Sequence, residues 1–159
     1  MTLAIRAGVA ADVPVIADLI RGLAQYEKLE DQVTMTEDRL SANLFGPHHY
    51  AETLIAEDGG SPVGFALFFH NFSTFLAQPG IYLEDLFVIP EHRGLGVGRA
   101  LLKELARLAV ERECGRLEWS VLDWNHEAIA FYERLGARPN SEWTIYRITG
   151  EALSALGRQ

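Results

Sequence analysis

A single cysteine, Cys114, stands in a chain of 159 residues, so no disulfide can close within the chain and no cage of cysteines alone can hold a metal. That scarcity fits a reducing compartment and reads Cys114 as a packed thiol. Long apolar runs are also missing, and no uninterrupted stretch nears the roughly 20 residues that a bilayer-spanning helix needs. The opening runs from Met1 to Asp12 without the basic start and apolar run of an export signal. The expected setting is the cytoplasm, away from the membrane. Positive charge is the third shortage: 14 Lys and Arg stand against 22 Asp and Glu, for a net charge of -8. Phosphate-backbone binding draws on Lys and Arg clustered over a whole face, so nucleic acid is excluded as a partner and a cationic small molecule is favoured. His48, His49 and His70 have no partners at metal-ligand spacing, and no metal is expected.

What is present is an ordinary globular composition, 48% hydrophobic and 23% charged, without a disordered tail or a repeat. A chain of this length buries about 70% of its surface around one core, so 1–159 reads as a single domain. Leu3, Ile5 and Ala7 alternate as a first strand. Asp12 as N-cap and Pro14 just inside it open a helix to Tyr26. Thr34 and Glu37, at capping-box spacing, open a second helix that Gly46-Pro47 stops. Strands over 51–57 and 62–69 flank Asp58-Gly59-Gly60-Ser61, the chemistry of a hairpin turn. A loop over 71–79 leads to the most hydrophobic strand, 81–89, expected at the centre of the sheet. Helix 99–112 follows a glycine-rich turn, then strand 117–122, helix 126–134 capped by Asn125 and ended by Gly136, and a last strand 143–148. The pattern predicts an α/β (α+β) fold, with a mixed, mostly antiparallel sheet of about 6–7 strands and helices on both faces.

The loop Arg93-Gly94-Leu95-Gly96-Val97-Gly98 carries the most chemistry. Alternate glycines let the backbone approach a ligand and turn N–H groups inward, while the following helix aims its positive end at the same point. With His92, Arg93 and Arg99 beside it, this is a phosphate site in an acidic chain. A P-loop needs Gly-Lys-Ser/Thr, and here Gly98-Arg99-Ala100 stands instead. A dinucleotide fingerprint finds Arg99 or Leu101 where its third glycine belongs, with Glu118 as the ribose acid. The third pattern, Arg/Gln-x-x-Gly-x-Gly/Ala, is met by Arg93, Gly96 and Gly98.

That third pattern is the pyrophosphate signature of the GNAT acetyltransferase superfamily, which 83–102 closely resembles. Tyr26-Glu27, Glu30, Gln32-Val33, Tyr82-Leu83-Glu84-Asp85, Phe87-Val88, Trp124-Asn125, Phe131-Tyr132 and Gly136-Ala137 are similar to the diamine (spermidine/spermine) acetyltransferase branch. The resemblance implies a homodimer that moves acetyl from acetyl-CoA to a primary amine of a small cationic substrate, in a ternary complex without a covalent intermediate. A non-catalytic acyl-CoA-binding regulator and a protein N-terminal or lysine acetyltransferase are the alternatives. Where polyamine enzymes carry an acidic residue and a tryptophan, this chain has Thr74 and Leu76, which keeps an amino-acid side-chain amine open as substrate.

Amine acetylation needs a base, because an alkylammonium has a pKa of roughly 10. Strand alternation sends Glu84 and Asp85 to opposite faces, so at least one meets an apolar region, where a carboxylate's pKa rises. The resemblance makes Glu84 the base, acting directly or through ordered water, and adds Asp85 to the amine site. It implies that Tyr132 protonates the departing thiolate and that the Val88 N–H stabilises the oxyanion. It also puts Phe87, Val88, Arg93, Gly94, Leu95, Gly96, Val97, Gly98, Arg99, Asn125 and Tyr132 against the coenzyme, and Tyr26 and Glu27 against the amine.

Overall fold

The computed structural model describes residues 1–159, which divide into two compact units, Met1–Ser120 and Val121–Gln159. The first unit holds the sheet: β1 (Leu3–Ala7), β2 (Glu52–Asp58), β3 (Ser61–Ser73), β4 (Gln78–Val88) and β5 (Leu117–Trp119), side by side in that order. Neighbours from β1 to β4 run antiparallel, and β5 runs parallel to β4. The β2–β3 turn forms as its composition predicts, with Gly59 and Gly60 both at positive φ, as a two-residue hairpin connection of twisted strands requires.

Two apolar layers cover this sheet. Ile55, Phe65 and Phe87 stand opposite one another on β2, β3 and β4. They cluster with Ile16 and Leu19 of α1 (Val13–Tyr26) and Leu44 of α2 (Glu37–Phe45). Side chains one residue removed, among them Ala66 and Phe68, point to the other face, over which α3 (Val97–Glu111) lays Val97, Leu101 and Leu105. Each such fully buried aliphatic or aromatic side chain stabilises by roughly 1.5–3 kcal/mol. α1 approaches closely because residue 22 is glycine: a Cβ there would stand 2.8 Å from the Phe87 ring.

Local signals identified the elements better than their caps. Asp12 precedes α1 but does not cap it. Its buried carboxylate accepts from Val9 N–H at 2.7 Å and from Arg6 at 2.7 and 2.9 Å, because a nearby guanidinium competes better for it than the helix end. Thr36 caps α2, accepting from Arg39 N–H at 3.2 Å, in place of Thr34. The predicted loop 71–79 shrinks to 74–77, since β3 and β4 keep pairing to Ser73 and Gln78. β4 lies fourth among five strands, and β3 takes the centre.

In the second unit, Asn125 caps α4 (His126–Arg134), its side-chain oxygen accepting from Ala128 N–H at 3.3 Å. Gly136 closes the helix at φ 94°. The predicted strand 143–148 is absent, so the sheet has five strands rather than six or seven. Trp143 is 76% and Tyr146 94% exposed. Alternation supplies a strand's side chains but not a ladder partner, and without pairing the backbone stays irregular. α5 (Gly150–Gly157) follows, a helix with no cap or turn signal strong enough to announce it.

Candidate active site

The end of β4 brings most of the predicted residues of the first unit together, and an irregularity does the positioning. Leu67 of β3 faces Asp85, but the next residue, Phe68, faces Leu83, so Glu84 is the extra residue of a β-bulge. The bulge overturns the expectation that the two carboxylates face opposite ways. Counting back from Phe87, Asp85 lies on the face that carries α1 and α2. Counting forward from Tyr82, whose ring packs 5.3 Å from Phe69 on that same face, Glu84 lies there too. The one-residue insertion therefore puts adjacent carboxylates on one side, beyond the reach of period-two reasoning.

Their environments differ. Glu84 is exposed, whereas Asp85 is half-buried and its pKa is pushed up to about 7. Burial is the largest cause, followed by the negative charges of Glu84 and Glu27. Glu27, the residue after α1, is itself half-buried, and burial raises its carboxyl above the ordinary value. Three carboxylates thus share one region, and burial beside two other acids favours the protonated form of Asp85.

At the same bulge the sheet opens. β4 pairs with β5 only from Ile81 to Leu83, so past Glu84 the β5 side of β4 has no strand. Ile89 N–H donates to Val63 on β3 at 2.9 Å; the residue before it, Val88, turns its N–H and C=O the opposite way, toward the gap. An amide aimed into an opening between parted strands can donate to an oxygen entering there.

Beyond β4, a short 3-10 turn over Pro90–His92 leads into the glycine loop. Gly94 and Gly96 adopt φ of 75° and 86°, a region that costs other residues about 1–2 kcal/mol, and a Cβ on either would meet nothing within 4 Å. Open space and left-handed backbone together make a surface that a ligand can approach closely. Gly96 caps α3, and Ala100 N–H donates to Gly96 at 3.0 Å. The N–H groups of Val97, Gly98 and Arg99 precede that bond, so no intrahelical acceptor meets them.

Two of the three basic residues beside the loop have partners within the protein. His92 Nε2 pairs with Asp58 at 3.1 Å. Arg93 folds back: its Nε donates to the Val88 carbonyl at 2.9 Å, and its guanidinium lies 4.6 Å over the Tyr26 ring and 5.4 Å from that of Phe87. Arg99 is exposed in the first turn of α3. Tyr132 and Asn125 belong to the second unit, where Tyr132 lies on α4 with its ring 5.5 Å from that of Phe131, and Asn125 is buried at the helix cap. Glu118, weighed as a ribose acid, accepts instead from Asn71 at 3.2 Å. No helix is long and apolar enough to cross a membrane.

Parted strands, an amide turned toward the gap and a glycine loop opening a helix meet at the end of β4, and comparison with known proteins gives the class. Residues 17–137 match the Acetyltransferase (GNAT) family. The chain is 40% identical over 152 residues to a thialysine N-epsilon-acetyltransferase of Sus scrofa, covering 89% of each chain. It is 32% identical over 199 residues to an L-ornithine N5-acetyltransferase of Arabidopsis thaliana, covering 97% of this chain and 87% of the relative. Among solved structures, an integron cassette protein from the mobile metagenome of V. cholerae superposes with a TM-score of 0.84 at 27% identity, covering 100% of this chain and 99% of that one. This chain belongs to the GNAT acetyltransferase family. It is an N-acetyltransferase, of a class that uses acetyl-CoA as co-substrate, and the dinucleotide reading of its loop is set aside.

Proposed function

We propose that the protein transfers the acetyl group of acetyl-CoA to a primary amine of a small cationic molecule, a diamine, polyamine or lysine-like amino acid, by direct attack in a ternary complex. The observation that carries this reading is the carboxylate group made by Glu27, Glu84 and Asp85 beside the opening of β4. Three acids gathered in one region repel an anion and favour an ammonium ion. The match to thialysine and ornithine acetyltransferases supports the same class, since both names describe side-chain amines.

Each residue has one task. Main-chain amides of Gly94, Leu95, Gly96, Val97 and Gly98, with the charge of Arg99, hold the diphosphate. Phe87 and Val88 line the acyl end, where the Val88 N–H takes the charge that gathers on the carbonyl oxygen. Tyr26, Glu27 and Asp85 hold the substrate's cation. Glu84, directly or through water, takes one proton from the bound ammonium so that the neutral nitrogen can attack the acyl carbon; the second proton leaves the nitrogen as the tetrahedral intermediate breaks down and, through solvent, restores the phenol of Tyr132. As the carbon–sulfur bond breaks, the sulfur, a thiol of pKa about 8.5, takes the Tyr132 phenolic proton. Asn125 supports the coenzyme from the helix cap. This reading takes 1–159 as one catalytic domain in a cytoplasmic homodimer, which sedimentation of the purified protein checks.

The test is a thiol-release assay with acetyl-CoA and a panel of thialysine, L-ornithine, L-lysine, 1,3-diaminopropane and spermidine. Turnover on at least one of them is expected. Binding of CoA without turnover on any amine would refute the assignment and leave an acyl-CoA-binding regulator.

A further inference from the structure

Arg93 opens the glycine loop, yet its exposed side chain lies back against β4 and α1. Its Nε donates to the Val88 carbonyl at 2.9 Å, and the guanidinium lies over Tyr26 at 4.6 Å and near Phe87 at 5.4 Å. These partners belong to two elements besides the loop itself, β4 and α1. Val88 ends β4, Phe87 packs against Gly22 of α1, and Tyr26 ends α1 immediately before Glu27. The side chain therefore bridges the loop, the strand end whose amide faces the gap, and the acidic segment after α1. A cation over an aromatic face is held by the ring's quadrupole, and the planar guanidinium can stack while its edge still donates.

We infer that Arg93 is a positioning residue rather than a phosphate ligand: by clamping Val88 and Tyr26 together it couples the coenzyme loop to the amine site. The inference rests on the acetyltransfer reading above, and it reassigns a residue of that reading's loop. Three consequences distinguish it. Loss of the clamp loosens Tyr26 and Glu27, so the amine suffers first. The diphosphate, held by main-chain amides, is hardly affected. Lysine, which keeps a cation on the ring but not the planar fork, recovers part of the function.

The experiment measures CoA dissociation by calorimetry, and kcat and amine KM with the fastest amine of the panel, for wild type, Arg93→Ala, Arg93→Lys, Tyr26→Leu and Arg93→Ala/Tyr26→Leu. Thermal melts confirm that each variant folds. Arg93→Ala is expected to keep CoA dissociation within about threefold of wild type while amine KM rises about tenfold, the loss of an interaction of the cation–π class. Arg93→Lys regains at least half of that loss on a logarithmic scale. The double variant is less impaired than the product of the two single effects, because both break the shared Arg93–Tyr26 contact. A tenfold or larger loss of CoA affinity with an unchanged amine KM would make Arg93 a phosphate ligand and overturn the inference, as would additive effects of the two substitutions. Failure of wild type itself to bind CoA would defeat the acetyltransfer reading instead, so the two failures are separable.

Discussion

Asp85→Asn isolates the acidic site from the rest of the molecule. In the folded protein burial and the neighbouring acids push the Asp85 carboxyl up to about 7, against 3.8 for the ordinary group. One pKa unit corresponds to 1.36 kcal/mol, so the shift of about 3 units has an upper limit of about 4 kcal/mol. Asp85 is only half-buried, and solvent screening reduces the expected effect to about 2 kcal/mol. The sign follows from proton counting. Between pH 4 and 7 the folded state keeps a proton that the unfolded state has released, so stability falls as pH rises through that window and levels off above it. Asparagine carries no charge, and the variant should lose this slope. In urea denaturation at pH 4, 5, 6, 7 and 8, the stability of Asp85→Asn relative to wild type should therefore rise by about 2 kcal/mol across the range. Parallel stability curves for the two proteins would refute the argument that burial and the neighbouring carboxylates hold the Asp85 proton. The gain should come with a functional cost: amine KM rises in the variant, and any wild-type inflection near pH 7 in kcat/KM disappears.

Tyr132→Phe should lower turnover by about 10²-fold or more with little change in CoA affinity, read by steady-state kinetics and calorimetry. Glu84→Gln should reduce kcat by a similar order, about 10²-fold, while leaving CoA dissociation within twofold of wild type; an unchanged kcat would remove Glu84 from the chemistry. Gly96→Val forces a β-branched residue to the φ of 86° observed there, and should weaken CoA at least about tenfold, with a stability loss of about 1–2 kcal/mol in thermal unfolding. Asp12→Ala removes the acceptor of Val9 N–H and leaves Glu57 as the one carboxylate partner of Arg6, for an expected loss of about 2–3 kcal/mol. The Asp12 pKa is lowered chiefly by the Arg6 hydrogen bond, so its contribution is present above the ordinary value and fades as pH falls through the lowered one. The variant's deficit should then narrow below pH 4.

The local code of the chain determined a great deal. The β2–β3 hairpin is legible because Gly59 and Gly60 supply the positive φ that only such a turn demands, and α4 because Asn125 and Gly136 mark its two ends. The loop from Arg93 to Gly98 is equally legible, since a left-handed backbone at Gly94 and Gly96 is a property of the residues themselves. Tertiary structure decided what depends on a partner far along the chain. Whether Trp143 to Ile148 becomes a strand depends on a neighbouring ladder, and none forms. Asp12 left its helix for Arg6, and Arg93 left its loop for Tyr26 and Val88, because ion pairs and stacking are settled by which elements meet. The shared face of Glu84 and Asp85 comes from a single unpaired residue opposite Leu67 and Phe68. Periodicity describes one strand at a time, whereas a bulge is a mismatch between two, and so the arrangement of the acidic site was set by the pairing of β3 with β4.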